Sequence, residues 1–167
     1  MLAHFQSSAE AVGTRVKRFP EIADAVSYVR EIAAGGGMSC SWLPPDVRQA
    51  FGGTEFAEGK RLADARICIS WAEAAIAATG SLLLDLSGGH DRSAASLAPV
   101  HAVFVHESTL RPDMYALQEL LGNRLGSSPT SRLAIVTGPS RTADIERVLT
   151  IGVHGPKELH VLLLEGA

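Results

Sequence analysis

The chain has 167 residues, of which 46% are hydrophobic and 20% are charged, a composition typical of one globular domain. The net charge of −3 argues against the basic surface that nonspecific nucleic-acid binding requires. The N-terminal segment lacks the basic start and apolar run of a signal peptide, and no apolar run approaches the roughly 18 residues of a membrane helix, so a cytoplasmic protein without a membrane segment is predicted.

The first part of the chain predicts short helices alternating with strands. Residues 2–12 favour a short helix, and TRVKRF at 14–19 alternates as a strand does. Apolar residues at helical spacing predict a helix over 20–34, which ends at three consecutive glycines. A short strand is predicted over 38–42, and a helix or turn over 44–51.

The rest of the chain continues this alternation. Strands are predicted over residues 66–70, 81–86, 101–106, 132–137 and 158–164. Helices are predicted over the alanine-rich 72–80, over 111–125 and over 142–152, with a loop at 87–99. Several of these strands are apolar nearly throughout, as in sheets that helices cover on both faces. The sequence therefore predicts an α/β layer architecture with a parallel sheet.

The segment after the strand at 132–137 is the first candidate site. Ligands of open α/β sheets bind beyond the carboxyl ends of strands, and Gly138, Ser140 and Arg141 follow such an end. Thr142 suits the N-cap of the next predicted helix, whose free N–H groups would attract an anion together with the hydroxyls and the guanidinium. An ordinary strand-to-helix turn is the alternative, since the segment matches neither phosphate-binding glycine motif.

Acidic residues and a histidine lie close to this segment. Asp144 and Glu146 fall in the first turns of the predicted helix, where they complement the helix dipole or face a ligand. His154 lies in the turn before the last strand, where it is either a base near neutral pH or a solvent-facing residue.

Two further stretches carry candidate residues. Glu73 follows the strand at 66–70 and is either an acid, base or nucleophile or a solvated glutamate. Thr79, Gly80 and Ser81 form a tight turn whose amides either face a ligand or only stop a helix. His101 opens a strand, which is the wrong end for a ligand by the carboxyl-end rule, unless that strand is antiparallel.

The cysteines and histidines predict no metal site. Cys40 and Cys68 are too few for an iron–sulfur cluster, which needs four thiolates, and their spacing is not that of structural zinc. Both are expected to be buried, reduced thiols.

The order and content of three segments resemble one known family. The segments AEAAIAATGSLLL, PVHAVFV and TGPSRTADIERVLTIGVHGPKELHVLLL are similar to those of the lactate utilization protein C family, which has the LUD domain. The resemblance covers roughly residues 65–164, and residues 137–164 carry most of it. Family members have a longer N-terminal helical segment, so a single LUD-type domain over residues 1–167 without that extension is expected.

The resemblance implies both a fold and a task. The fold is a three-layer α/β/α structure with a mostly parallel central sheet, akin to sugar-phosphate isomerases and CoA transferases. The task is a part in oxidising L-lactate to pyruvate beside iron–sulfur partner proteins. The family's pattern places functional residues at Glu73, Thr79, Gly80, His101, Ser140, Arg141, Thr142, Asp144, Glu146, His154 and Gly155. The family more often has threonine where this chain has Ser81, which keeps a hydroxyl there.

The sequence is therefore compatible with three functions. The leading one is a subunit or accessory protein of a lactate-oxidising system, in which a pocket of this chain binds a small carboxylate or a phosphate-bearing ligand. Glu73 or His154 is its acid–base candidate, and the redox centres lie on the iron–sulfur partners because this chain is expected to bind no cofactor itself. The alternatives are an independent transferase or isomerase using Glu73, and a non-catalytic interaction module with contacts around residues 42–45. A homo-oligomer is compatible with all three.

Overall fold

A computed structural model describes residues 1–127, 131–143, 149–151 and 155–165 of the chain. The helices are Leu2–Ala11 (α1), Ile22–Ala33 (α2), Pro45–Ala50 (α3), Asp91–Leu97 (α4) and Gln118–Ser127 (α5). The strands are Arg15–Phe19 (β1), Gly37–Cys40 (β2), Ala65–Ile76 (β3), Ser81–Asp85 (β4), Val100–His106 (β5), Leu110–Arg111 (β6), Leu133–Val136 (β7), Arg141–Ala143 (β8), Leu149–Ile151 (β9) and Glu158–Leu164 (β10).

Eight of these strands form one mixed sheet whose main path runs β1-β10-β5-β3-β4-β7. The pairs from β1 to β3 along this path are parallel, whereas β4 is antiparallel to both β3 and β7. The first part of β3 also pairs with β2, and its last residues pair with β6. The predicted α/β fold with a mostly parallel sheet is confirmed.

Helices cover both faces of this sheet. One face packs against α1 and α4, in a core that includes Phe5, Ala94 and Val103. The other face packs against α2 and α3, in a core that includes Val29 and Phe104. The two central strands β5 and β10 are buried over almost their whole length, which explains their continuous apolar sequences.

The predicted helix over residues 72–80 is wrong. β3 continues to Ile76, and the chain then turns through Gly80 into β4. Alanine favours helices, but Ala72, Ala74 and Ala75 are at most 1% exposed and pair with β4, so packing overrides propensity. Glu73 therefore lies within a strand and not after its end.

Two further expectations are corrected. The predicted loop at 87–99 contains α4. The predicted helix over 142–152 is wrong in its described parts, because β8 and β9 pair as antiparallel strands. No helix N-terminus therefore begins at Thr142.

Across the part of the chain that the structure describes, no helix is long and apolar enough to cross a membrane.

Candidate functional site

A cavity of about 420 Å³ collects several of the predicted residues on the sheet face that carries α1 and α4. His101, Gly138, Ser140 and Gly155 line it, as does Arg92 from α4. The remaining lining residues are Leu84, Leu86, Ala95, Ser96, Ala134, Ile135, Val136, Pro139, Pro156 and Leu159. We call this space the His101 cavity.

His101 is the buried polar residue of this cavity. The side chain is 2% exposed, and its Nε2 lies 2.7 Å from the Oγ of Ser70 on β3. Burial lowers the pKa of His101 to about 4, so the imidazole is uncharged near neutral pH. His101 is the second residue of β5, so the cavity lies by the amino ends of β5 and β10. The segment that follows the carboxyl end of β7, where the carboxyl-end rule placed a ligand, also lines it, through Gly138 and Ser140.

Arg92 is the cation among the described residues that line the His101 cavity, and it was not predicted from the sequence. The residue follows the first position of α4, in a segment predicted to be a loop. Among the described residues no carboxylate forms an ion pair with Arg92, which is exposed. The stretch DRSAASL, an acidic start followed by small helix-compatible residues, was the signal that could have revealed it.

Two turns close one side of the cavity. The N–H of Ser140 donates to the carbonyl of Pro156 at 2.8 Å, so this amide is already used within the protein. A Cβ at Gly155 would come within 2.9 Å of the Ser140 side chain, which makes glycine necessary for the two turns to touch.

Gly80, Gly138 and Arg141, predicted to hold an anion, lie against the C-terminal part of α1 and the turn after it. A Cβ at Gly80 would lie 2.2 Å from the backbone nitrogen of Ala9, and one at Gly138 would lie 2.7 Å from the carbonyl oxygen of Val12. Arg141 Nη2 donates to that same carbonyl at 2.6 Å. A cation at the C-terminal end of a helix is favourable, so these residues have a packing and capping function here. A ligand function for them stays a prediction.

Hydroxyl groups beside this contact form a chain. Ser81 Oγ lies 2.7 Å from the hydroxyl of Thr79 and 2.7 Å from that of Thr137. The hydrogen bonds join the turn after β3 to the end of β7, which Thr137 follows.

Thr142, another of the predicted residues, is the middle residue of β8. Asp144, Glu146 and His154 lie outside the described residues.

Glu73 lies in a different cavity of about 290 Å³, which we call the Glu73 cavity. The pairing of β3 with β4 shifts between Ala72 and Ala74, so Glu73 is the extra residue of a β-bulge. Its side chain is 13% exposed and forms an ion pair with Arg124 of α5 at 2.5 Å. Trp42, Asp85, Ser87, Gly88 and Asp91 complete the lining.

The two cavities lie on opposite faces of β4. Asp85 lines the Glu73 cavity, whereas Leu84 and Leu86 line the His101 cavity, as the alternation of side chains along a strand requires. The structure thus separates Glu73 from His101, Ser140 and Gly155.

Within the described ranges no group of three histidine, cysteine, aspartate or glutamate side chains is placed to hold a metal ion. Cys40 is half-buried and Cys68 is fully buried, and both are free thiols. Burial raises the pKa of Cys68 to about 12, so that thiol is not a nucleophile near neutral pH.

The sequence matches the family model of the LUD domain over residues 55–164. Lactate utilization protein C of Bacillus licheniformis is 32% identical over 108 residues, which are 64% of this chain and 45% of that protein. Lactate utilization protein C of Halalkalibacterium halodurans is 32% identical over 114 residues, 65% of this chain and 50% of that protein. The chain thus spans about half the length of these relatives.

A similar fold is known from a solved structure. The crystal structure of a DUF162 family protein from Deinococcus radiodurans covers 99% of this chain and 96% of its own, with a TM-score of 0.70 at 17% identity. At that identity the likeness concerns the fold alone, and it agrees with the layered α/β architecture predicted from the sequence.

Proposed function

Since the chain belongs to the LUD domain family, we propose that it serves an L-lactate utilization system as a subunit or accessory protein in the oxidation of L-lactate to pyruvate. The names of its relatives in Bacillus licheniformis and Halalkalibacterium halodurans support this task. The proposed location is the cytoplasm, where free thiols such as those of Cys40 and Cys68 stay reduced.

The electrons of this oxidation are proposed to pass to iron–sulfur clusters on partner subunits. Oxidation of a hydroxy acid releases two electrons, which a cofactor must accept. The two cysteines of this chain are fewer than the four thiolates that usually ligate a cluster. The chain would contribute a ligand-binding surface, and no redox cofactor is proposed for it.

The binding surface that we propose is the His101 cavity, and its ligand is an anion. The observation that carries this proposal is the guanidinium of Arg92, which lines the cavity and has no ion-pair partner among the described residues. A guanidinium binds carboxylates and phosphates through paired hydrogen bonds. His101 is uncharged there and provides a hydrogen bond without adding charge. Arg141, the cation first predicted for this task, donates to Val12 instead.

Thermal unfolding of the purified protein with L-lactate, pyruvate, phosphate, NAD, FMN and CoA tests this site. A ligand that binds only the folded state adds about 2.7 kcal/mol of stability at one hundred times its dissociation constant. We expect one anion to raise the melting temperature of the wild type and of Arg141→Gln, but not of Arg92→Gln. A shift that persists in Arg92→Gln would overturn the site.

The task is tested separately by growth on L-lactate. A strain that lacks the gene for this chain should lose growth on L-lactate and keep growth on pyruvate, and the wild-type gene should restore it. Unchanged growth on L-lactate would overturn the proposed task, whatever the cavity binds.

A transferase or isomerase that uses Glu73 is the second candidate function. The bulge in β3 favours it, because bulges commonly redirect side chains beside active sites, and it places a mostly buried carboxylate at the wall of a cavity. Incubation with acyl-CoA should then leave CoA on Glu73 as a thioester, with the acyl group released as its free carboxylic acid. Mass spectrometry should detect this adduct in the wild type and not in Glu73→Gln. A wild-type protein without an adduct would argue against this function.

A further inference from the structure

The His101 cavity is larger than a three-carbon hydroxy acid requires. Its volume of about 420 Å³ corresponds to about fourteen water-sized groups, at roughly 30 Å³ each. L-lactate or pyruvate would occupy less than about half of that space by the same measure. A ligand that fills the cavity needs a larger body.

The walls indicate what that body is made of. Leu84 and Leu86 line the cavity together with Val136 and Leu159, and Ala95 and Ala134 add small apolar surfaces. Water against such walls finds few hydrogen-bond partners, so hydrocarbon that displaces it is favoured.

The polar groups of the cavity are few and different in kind. Arg92 is exposed and forms no ion pair within the described part of the chain, so it offers a charge at the solvent side. His101 is almost fully buried, and Ser70 occupies its Nε2. The Ser140 amide is bonded to Pro156 and is closed to a ligand. Among the described lining residues, Arg92 is the cation, Ser96 and Ser140 add hydroxyl groups, and the apolar surface is larger than the polar one.

We propose that the His101 cavity binds a monocarboxylate of about eight to twelve non-hydrogen atoms in all, with the carboxylate on Arg92 and the apolar body against Leu84, Leu86 and Leu159. The proposal rests on the anion site proposed above and narrows its ligand class. The ligand of this cavity is thus a medium-length acyl or aryl acid, and L-lactate itself is a poor ligand.

Calorimetric titration with acetate, L-lactate, hexanoate, octanoate, decanoate and 3-phenyllactate tests the ligand class. Affinity for the linear acids should rise about fourfold for each added methylene group until the cavity is filled. Linear acids binding more tightly than 3-phenyllactate would identify an acyl body, and the reverse would identify an aryl body. Equal affinity for L-lactate and octanoate, or no binding of any acid longer than L-lactate, would overturn the proposal.

Charge and shape are tested by variants and by a neutral analogue. Octanamide should bind at least about fivefold more weakly than octanoate, the factor expected for one ion pair in a solvated setting. Arg92→Gln should weaken octanoate by the same factor and leave octanamide unchanged, whereas Arg132→Gln, an exposed arginine outside the cavity lining, should change neither. Ala134→Phe should fill the cavity and abolish the advantage of octanoate over acetate. Octanamide binding as tightly as octanoate would contradict the proposal.

The outcomes separate this proposal from the proposed function. Octanoate binding that depends on Arg92, together with unimpaired growth on L-lactate without the gene, would retain the ligand class and reject the task. Loss of growth on L-lactate together with no binding of longer acids would retain the task and reject the ligand class.

Discussion

His101 is an almost fully buried imidazole, a side chain that in water titrates near neutral pH. Its environment disfavours the imidazolium, so the pKa falls to about 4 from an ordinary value of 6.5. The Ser70 hydroxyl satisfies one ring nitrogen and adds no charge. The residue is therefore a fixed, uncharged hydrogen-bonding group on the cavity wall, and not a general base at neutral pH.

The pKa of His101 makes stability depend on pH. Between pH 6.5 and about 4, the His101 imidazole is protonated in the unfolded chain but not in the folded chain. The free energy of unfolding therefore falls as the pH falls through this window. The total loss in the free energy of unfolding is about 3 kcal/mol. Above pH 7 the His101 imidazole is uncharged in both states, so it contributes no pH dependence there. Urea unfolding at several pH values should show a shallower pH dependence in His101→Gln than in the wild type.

His160, a second buried histidine, does not affect the comparison of the wild type with His101→Gln. Burial also lowers the pKa of His160, but both proteins contain it, so its effect cancels in the difference. Parallel curves for the wild type and His101→Gln across pH 4 to 6.5 would show that His101 has an ordinary pKa.

Among the elements, α1 determines what several sequence motifs do. It packs Phe5 and Ala9 into the core, and its end lies against Gly80, Gly138 and Arg141. Turn residues that suggested an anion site thus support a helix. A substitution at Gly80 or Gly138 is therefore expected to act first by displacing α1.

Replacing Gly80 with alanine should destabilise the protein through this contact. Both Gly80 and Gly53 have positive φ, of 65° and 75°, but only at Gly80 would the new methyl group meet the backbone of α1, whereas nothing lies within 4 Å at Gly53. Gly53→Ala should therefore cost only the backbone strain, about 1 kcal/mol. Gly80→Ala should cost clearly more in urea unfolding. Equal losses would mean that α1 does not depend on this contact.

Elements whose conformation is determined by their own residues were predicted correctly, and those that depend on distant partner strands were not. The helix α2 and the strands β5 and β10 have apolar patterns that match their own packing, so the sequence predicted them correctly. The second part of β3 was predicted to be a helix, because its strand conformation depends on β4 and β6 and not on its alanines. Local propensity contains no information about such partners.

The candidate site was predictable to a smaller degree for a related reason. Sequence motifs selected His101, Ser140 and Gly155, which the fold brings to one cavity. They also selected Glu73, which alternation along β4 separates from that cavity, and they missed Arg92 on a helix predicted to be a loop. Which face of a sheet a residue occupies depends on register, and a bulge at Glu73 changes that register.

At the scale of the whole molecule, the sheet is held together by its last strand. β10 lies between β1 and β5 and pairs with both along its length. Leu162 is fully buried opposite Lys17 and Phe104, whereas Ile135 on the edge strand β7 is 47% exposed. Stability should therefore depend much more on the middle of the sheet than on its β7 edge.

Matched truncations compare these two places. Leu162→Ala should lower the free energy of unfolding by about 2–5 kcal/mol, the range for large-to-small changes in a packed core. Ile135→Ala should lower it by less than about 1 kcal/mol, because much of that side chain is already in water. Urea unfolding measures both, and similar losses would show that the sheet does not depend on β10 in this way.

The position of β10 also matters while the protein is being made. Pairing of Arg15 with His160 joins residues that are synthesised almost a full chain apart. Until Leu164 has left the ribosome, β1 and the neighbouring edge of β5 have no partner strand, and the nascent chain carries open, apolar strand edges. Chaperones that shield such edges should therefore associate with the growing chain for most of its synthesis and leave only when the final strand closes the sheet.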